Sequence, residues 1–232
     1  MVRSLQPEII IDNRLGGDIH AIEPQDFTGD FAGPEQGIPR EPMIDQEGRA
    51  IPWEVCMTLN NHWGYCPSDI AWKTPKDIIR ALVNCTSKGG NLMINIGPDA
   101  NGRIPEKSKN ILEEVGQWLD FNGESIYGCG IADHPKPEWG RFTQKGNMLY
   151  AHMLEQVLGH ACLPCLKDKV TRAWKVSDSA EIILTEFWNR EVDTFDGPDD
   201  IFFNFNHPVQ DTYKLPDEID TVIALKVKSL LN

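Results

Sequence analysis

The chain has 232 residues, of which 41% are hydrophobic, enough to bury the cores of one large or two modest globular domains. Acidic residues outnumber basic ones by 35 to 22, and the formal net charge is -13. Without a basic cluster interleaved with aromatics, this balance argues against nucleic acid and anionic membranes as partners. No apolar run is long enough to span a bilayer, and the first seven residues lack a signal-peptide core.

The amino-terminal half alternates short apolar runs with helical patterns. The run 7–12 predicts a strand buried on both faces, whereas residues 15–50 are rich in Gly, Pro, Asp and Gln and read as a long loop. Residues 53–60 predict a second strand and residues 91–96 a third. Apolar strands alternating with helices indicate parallel βα units.

Two helices are predicted between and after these strands. In the first, Thr74 is suited to cap the helix and Pro75 to begin it, and an apolar stripe follows until Gly89-Gly90. The second begins near Pro105 and stops at Asn122-Gly123.

The pattern changes after about residue 127. Gly146-Asn147 predicts a hairpin turn between strands 140–145 and 148–154. The later runs 181–188, 200–205 and 220–227 are rich in β-forming residues. These features indicate a second, antiparallel β-domain.

Six cysteines are scattered along the chain, and reduced thiols are the simplest interpretation. The tight group of His160, Cys162 and Cys165 offers three soft ligands. A closed zinc site needs four, and no second Cys/His pair follows at a suitable spacing, so no metal or other cofactor is predicted.

Seven motifs in register carry a resemblance to a known family. They are Asp12-Asn13-Arg14, the segment 29–36 (GDFAGPEQ), 52–60 (PWEVCMTLN), Trp63-Gly64-Tyr65, 87–92 (SKGGNL), Asn95-Ile96-Gly97-Pro98, and 116–119 with 122–127 (GQWL, NGESIY). In order and spacing the chain resembles the glycoside hydrolase family 29 α-L-fucosidases. The resemblance is dense from residue 7 to 127 and thin beyond.

This resemblance implies a fold and an activity. Residues 1–128 would form the carboxyl-terminal part of a (β/α)8-like barrel, and residues 129–232 an antiparallel β-sandwich. The family's reaction is a retaining, two-carboxylate hydrolysis that releases L-fucose. The implied ligand is a fucosylated glycan or small fucoside, bound where barrel active sites lie, at the carboxyl ends of the strands.

Glu35 matches the family's general acid/base, in a Gly33-Pro34-Glu35 context where a threonine is more usual at the first position. An acid of this kind works with a carboxyl whose pKa is raised by desolvation, and a rigid loop near an aromatic wall is expected to supply that burial. By itself, the residue type would indicate only an exposed loop carboxylate.

Arg14 and Trp63 match substrate-binding positions of the family. A guanidinium after the first strand is suited to bind sugar hydroxyls and nearby carboxylates, although a strand-end salt bridge is the alternative. Trp63 would cover the apolar face and methyl group of fucose. A core aromatic is less attractive there because turn residues surround it.

Glu54 is the competing carboxylate for the acid/base role and is placed second, as a supporting group. His20 and His62 lie in the same loops, and both are expected to be solvated loop histidines.

The family's nucleophile lies in a Trp-x-Asp motif upstream of Asp12, so the resemblance implies that this chain lacks it. The expectation is an internal start, a gene fragment or one half of a split enzyme, active only with an amino-terminal half encoded upstream. The alternative is a non-catalytic remnant that binds carbohydrate through Arg14, Trp63 and the β-sandwich.

Overall fold

The computed structural model describes residues 2–15, 29–157, 161–186, 197–205 and 214–228. Its helices are α1 (Val2–Leu5), α2 (Pro75–Thr86) and α3 (Glu106–Asn122), with short 3-10 turns at Asn13–Leu15 and Gly123–Ser125. Its strands are β1 (Trp53–Thr58), β2 (Gly90–Asn95), β3 (Gly140–Lys145), β4 (Met148–Met153), β5 (Cys162–Leu163), β6 (Val170–Lys175), β7 (Ile183–Thr185), β8 (Ile201–Asn204) and β9 (Thr221–Val227).

The chain packs as two compact units. The first comprises Met1–Thr74 with Lys88–Leu112, and the second comprises Pro75–Ser87 with Glu113–Asn232. These units are groups of closely packed residues. They do not test the predicted domain boundary after residue 128, which stays a prediction.

In the first unit, several segments run parallel to one another. β1 pairs with β2 along its whole length. Residues 31–35 run parallel to the other edge of β1, with Ala32 beside Trp53 and Glu35 beside Cys56. The carboxyl ends of these segments therefore meet at one edge of the sheet.

The segment beside β1 falls inside the stretch predicted to be a loop, so that prediction is wrong for residues 31–35. Pro34 has no N–H to donate, yet its carbonyl accepts from the Cys56 N–H at 3.1 Å. The Glu54 N–H donates to Ala32 at 3.0 Å, and the Gln36 N–H donates to Cys56 at 2.8 Å. The proline and its neighbouring glycines hide this ladder from a reading of periodicity.

The first predicted strand is much shorter than its sequence suggests. Of the run from Pro7 to Asp12, only Asp12 forms a bridge, to Phe31. Ile10 is 71% exposed. An apolar run indicates a strand buried on both faces only where neighbours cover it, and in the described residues this run pairs on one side.

The two predicted helices and the two later strands of this region are confirmed. α2 begins at Pro75 and buries Ile78, Ile79 and Val83, and α3 covers the second predicted helix. None of the helices within the described ranges is both long and apolar enough to cross a membrane.

The second unit contains two antiparallel sheets, ordered β3-β4-β9-β6 and β5-β8-β7. The predicted hairpin is confirmed, because Gly146 adopts a φ of 58° between β3 and β4. Inward side chains of both sheets join one buried cluster, which includes Phe142, Leu149 and Leu225 from the first sheet and Leu163 and Phe203 from the second. Two antiparallel sheets that share a core fit a β-sandwich.

Gly140 in β3 tolerates no side chain, because a Cβ there would lie 1.8 Å from the carbonyl oxygen of His152 on the neighbouring strand. Gly140→Ala must push two backbones apart, and we expect a loss of about 2–3 kcal/mol in the free energy of unfolding, measured by urea denaturation. Gly130→Ala is the matched control, since a Cβ at Gly130 meets nothing within 4 Å. Equal stability of the two variants would contradict this packing.

Candidate active site

Arg14 and Glu35 come together at the carboxyl ends of neighbouring parallel segments. The Arg14 Nη1 donates to Glu35 Oε2 at 3.2 Å, and Nε and Nη2 donate to the carbonyl of Gly33 at 3.0 and 2.5 Å. The two side chains are 31% and 41% exposed. An ion pair this exposed contributes little to stability, but the two bonds to the Gly33 carbonyl hold the guanidinium in place, and its third donor contacts the Glu35 carboxylate.

Gly33 allows this arrangement because it has no side chain. A Cβ at this position would lie 2.5 Å from Asp12 Oδ2 and 3.2 Å from Arg14 Nε. The Asp12 carboxylate meanwhile accepts the backbone N–H of Arg14 at 2.7 Å. A glycine at this position is therefore matched to the close approach of Asp12.

Gln36 shapes the backbone immediately after Glu35. Its φ of 60° is left-handed, which costs a non-glycine residue of order 1 kcal/mol or more. The Gly37 N–H closes a three-residue turn onto the Glu35 carbonyl at 2.7 Å. The Gln36 side chain donates to Thr58 Oγ1 at 3.1 Å and accepts the Thr58 N–H at 3.3 Å. This side chain thus fastens the turn that carries Glu35 to the end of β1.

Glu54 and Cys56 lie on one face of β1, because side chains two residues apart in a strand share a face. Glu54, the competing carboxylate, lines a cavity of about 540 Å³ together with Arg3, Asp30 and Asn91 at the amino-terminal part of the sheet. Burial raises the pKa of the Cys56 thiol; the positive charge of Arg14 opposes this, while the charges of Glu35 and Glu54 reinforce it. Cys56 is therefore within electrostatic reach of both carboxylates, and Glu35 is the one nearer the carboxyl end.

Trp63 belongs to the loop that follows β1 and is 40% exposed. Its carbonyl accepts Asn95 Nδ2 at 2.6 Å, which ties the loop to the end of β2. Its exposure excludes the alternative of a core aromatic. His62 beside it is not simply solvated, because its Nδ1 lies 2.6 Å from Asp69 Oδ2. His20 lies outside the described residues.

Residues 1–124 match the family model described as alpha-L-fucosidase. The chain belongs to this family. Over its whole length it is similar to the alpha-L-fucosidase isoenzyme 1 from Paenibacillus thiaminolyticus, with a TM-score of 0.87 and 48% identity, covering 99% of this chain and 52% of that one.

Two further relatives of this fucosidase-family chain are informative. A GH29 alpha-L-fucosidase from Bacteroides thetaiotaomicron, trapped as a covalent intermediate with 2-fluoro-fucosyl fluoride, is 26% identical, with a TM-score of 0.76 and coverage of 99% of this chain and 51% of that one. The human tissue alpha-L-fucosidase is 36% identical over 162 residues, 65% of this chain and 31% of that protein. The chain thus spans about half the length of the solved structures and about a third of the human protein.

Of the predicted site residues, two are in contact at one edge of the sheet and the third lies in a loop that follows β1. Arg14 and Glu35 are in direct contact, and Trp63 follows the strand beside Glu35. Gln36, Asp69 and Cys56 were missed by sequence reasoning. The left-handed turn at Gln36 and the pairing of Asp69 with His62 leave no signal in the sequence. The position of Cys56, two residues after Glu54 in the same predicted strand, was visible.

The fucosidase-family chain shows no metal centre in the described ranges, where no group of three His, Cys, Asp or Glu side chains is placed to hold an ion. Cys162 and Cys165 are not joined in a disulfide. His160, the third member of the group noted in the sequence, lies outside the described residues.

Proposed function

We propose that this chain supplies the general acid/base and part of the sugar site of a retaining α-L-fucosidase. Its substrate would be a fucosylated glycan or a small fucoside. The parallel segments ending at Arg14, Glu35 and Thr58 would be the last strands of a (β/α)8-like barrel, with β2 among them. Family membership of residues 1–124 supports this proposal.

The contact between Arg14 and Glu35 is the observation that carries the proposal. A carboxyl that is 41% exposed beside an arginine at the carboxyl ends of parallel segments can meet a ligand from solution. Glu54 lines a cavity at the amino-terminal ends of the parallel segments, away from the edge where barrel active sites lie. This favours Glu35 over Glu54 as the acid/base.

The mechanism assigns Glu35 two proton transfers. It first donates a proton to the glycosidic oxygen as the bond from that oxygen to the anomeric carbon breaks and the sugar passes to a carboxylate nucleophile. It then accepts a proton from the water that hydrolyses the intermediate. We assign the nucleophile to none of the described residues. The trapped covalent intermediate of the Bacteroides enzyme supports a two-step route.

Arg14 would position Glu35 and bind the sugar beside it. Its Nη1 donates to Glu35 Oε2 at 3.2 Å, so a sugar hydroxyl that accepts from the same guanidinium would lie next to the acid/base.

The test is activity on an aryl α-L-fucoside with and without an amino-terminal half. We define the chimera as residues 1–232 joined to the part of the Paenibacillus thiaminolyticus enzyme that this chain does not cover. We expect residues 1–232 alone to show no turnover above background, because without a nucleophile no covalent intermediate forms. We expect the chimera to release fucose.

Two outcomes would contradict this proposal. A soluble, folded chimera without fucosidase activity would favour the alternative of a non-catalytic carbohydrate-binding protein. Turnover by residues 1–232 alone would show that this chain carries its own nucleophile.

A further inference from the structure

The loop after β1 exposes three rings within four residues. His62 is 53% exposed at its side chain, and Trp63 and Tyr65 are 40% and 52% exposed. Aromatic rings with a polar group present both an apolar face and a hydrogen-bonding edge, which suits the two kinds of surface on a sugar. The loop follows the carboxyl end of β1, the strand that runs beside the Glu35 segment.

His62 is held in one orientation by a buried carboxylate. Asp69, whose side chain is 3% exposed, accepts from the N–H groups of Asn61 at 2.9 Å and Ala71 at 3.0 Å. The hydrogen bond from His62 is the largest of the effects that hold the pKa of Asp69 below its usual range. Because this carboxylate is ionised, the His62 Nδ1 carries a proton and donates it, and in the neutral ring the lone pair lies on Nε2.

The loop is also fastened at its other contacts. The His62 N–H donates to Asn60 Oδ1 at 3.1 Å, and Asn95 holds the Trp63 carbonyl at 2.6 Å. Among the described hydrogen bonds, none involves the His62 Nε2. A ring with one nitrogen anchored on a buried acid and the other unengaged in the described structure is preorganised for a ligand.

We propose that His62, oriented by Asp69, determines specificity for the leaving group by accepting a hydrogen bond at Nε2 from a hydroxyl of the sugar to which fucose is attached. Trp63 and Tyr65 flank this contact. The proposal rests on the proposed function. Glu35 would protonate the glycosidic oxygen, which stays with the leaving group, and the loop that carries His62 follows the strand beside Glu35. His62 would therefore meet the leaving group.

Two substitutions separate the two ring nitrogens. The amide nitrogen of His62→Asn takes the place of Nδ1 and keeps the bond to Asp69, but nothing replaces Nε2. The longer His62→Gln reaches the place of Nε2. In the chimera we expect His62→Asn to lower the ratio of kcat/KM for a fucosylated lactose to kcat/KM for an aryl fucoside about tenfold, and His62→Gln to restore part of it.

If His62 only stabilises the loop, the result will differ. His62→Asn will then change kcat/KM for both substrates by the same factor, and the ratio will stay constant. That outcome would overturn the inference while leaving the proposed function intact. A chimera inactive on the aryl fucoside would instead contradict the proposed function.

A second readout does not depend on activity. In residues 1–232 with ¹⁵N-labelled histidine, titration with lactose should shift the Nε2 resonance of His62, and Asp69→Asn should weaken this response. No movement of that resonance at the highest lactose concentration would overturn the inference.

Discussion

Glu35→Ala in the chimera is expected to lower kcat/KM for a phenyl α-L-fucoside, a poor leaving group, by about 10²–10⁴-fold. For a dinitrophenyl fucoside kcat/KM should fall far less, because its leaving group departs without a proton. The ratio between the two substrates measures protonation of the leaving group, and it is obtained from initial rates.

The second step of the same variant gives an independent signature. Without its base the covalent intermediate reacts slowly with water, but azide needs no deprotonation and fits where the carboxylate was. We expect azide to restore part of the rate and to yield fucosyl azide with the α configuration, since two displacements retain it.

Glu54→Ala is the matched control for this assignment. If Glu54 only supports the site, its loss should lower kcat/KM for both fucosides by the same factor, and azide should have no effect on the rate. Leaving-group dependence and azide rescue at Glu54, with neither at Glu35, would exchange the roles of the two carboxylates.

The second large effect is expected in the β-sandwich, from His152→Leu. His152 and Asp220 are fully buried, with the His152 Nδ1 2.7 Å from Asp220 Oδ2. Thr143 donates to the carbonyl of Ser125 at 2.6 Å and can therefore only accept from the His152 Nε2 at 3.1 Å. One proton is then shared between Nδ1 and the carboxyl group.

Removing the imidazole leaves Asp220 buried without its partner, and we expect a loss of about 3–5 kcal/mol in the free energy of unfolding of residues 1–232, measured with urea at pH 7. Asp220→Asn should cost less, because an amide can donate to Nδ1 while Nε2 still donates to Thr143. Equal losses would contradict this assignment of the proton.

The pH dependence of the His152→Leu variant follows from the direction of the Asp220 pKa. Burial raises this pKa; His152 and Arg80 oppose the rise, and Asp217 adds to it. At pH values at which the unfolded chain has already lost the Asp220 proton, the folded variant therefore still keeps it. The free energy of unfolding of this variant should fall as the pH rises above about 4. The Asp220→Asn variant has no such group and should lack this slope.

Local patterns predicted the elements that depend on neighbouring residues. Pro75 and the apolar stripe after it gave α2, and Gly146-Asn147 gave the hairpin, because both signals act over a few residues. β6 was missed because its outward residues, Arg172 among them, dilute the apolar alternation.

The site depended on more distant contacts. The resemblance singled out Arg14 and Glu35, 21 residues apart, but not the contact between them. The His152–Asp220 pair joins residues 68 positions apart. Such pairs are set by strand register, and periodicity within one strand carries no information about its neighbour.

The assignment of α2 to the second unit affects how the two units can be separated by recombination during evolution. Although it lies between β1 and β2 in the sequence, α2 belongs to the unit of the β-sandwich, where Arg80 donates to the carbonyls of Leu154 and Ile219. Neither unit is one continuous stretch of chain. Recombination that carried residues 113–232 to another gene would leave this helix and its guanidinium behind, so the two units are expected to be inherited together.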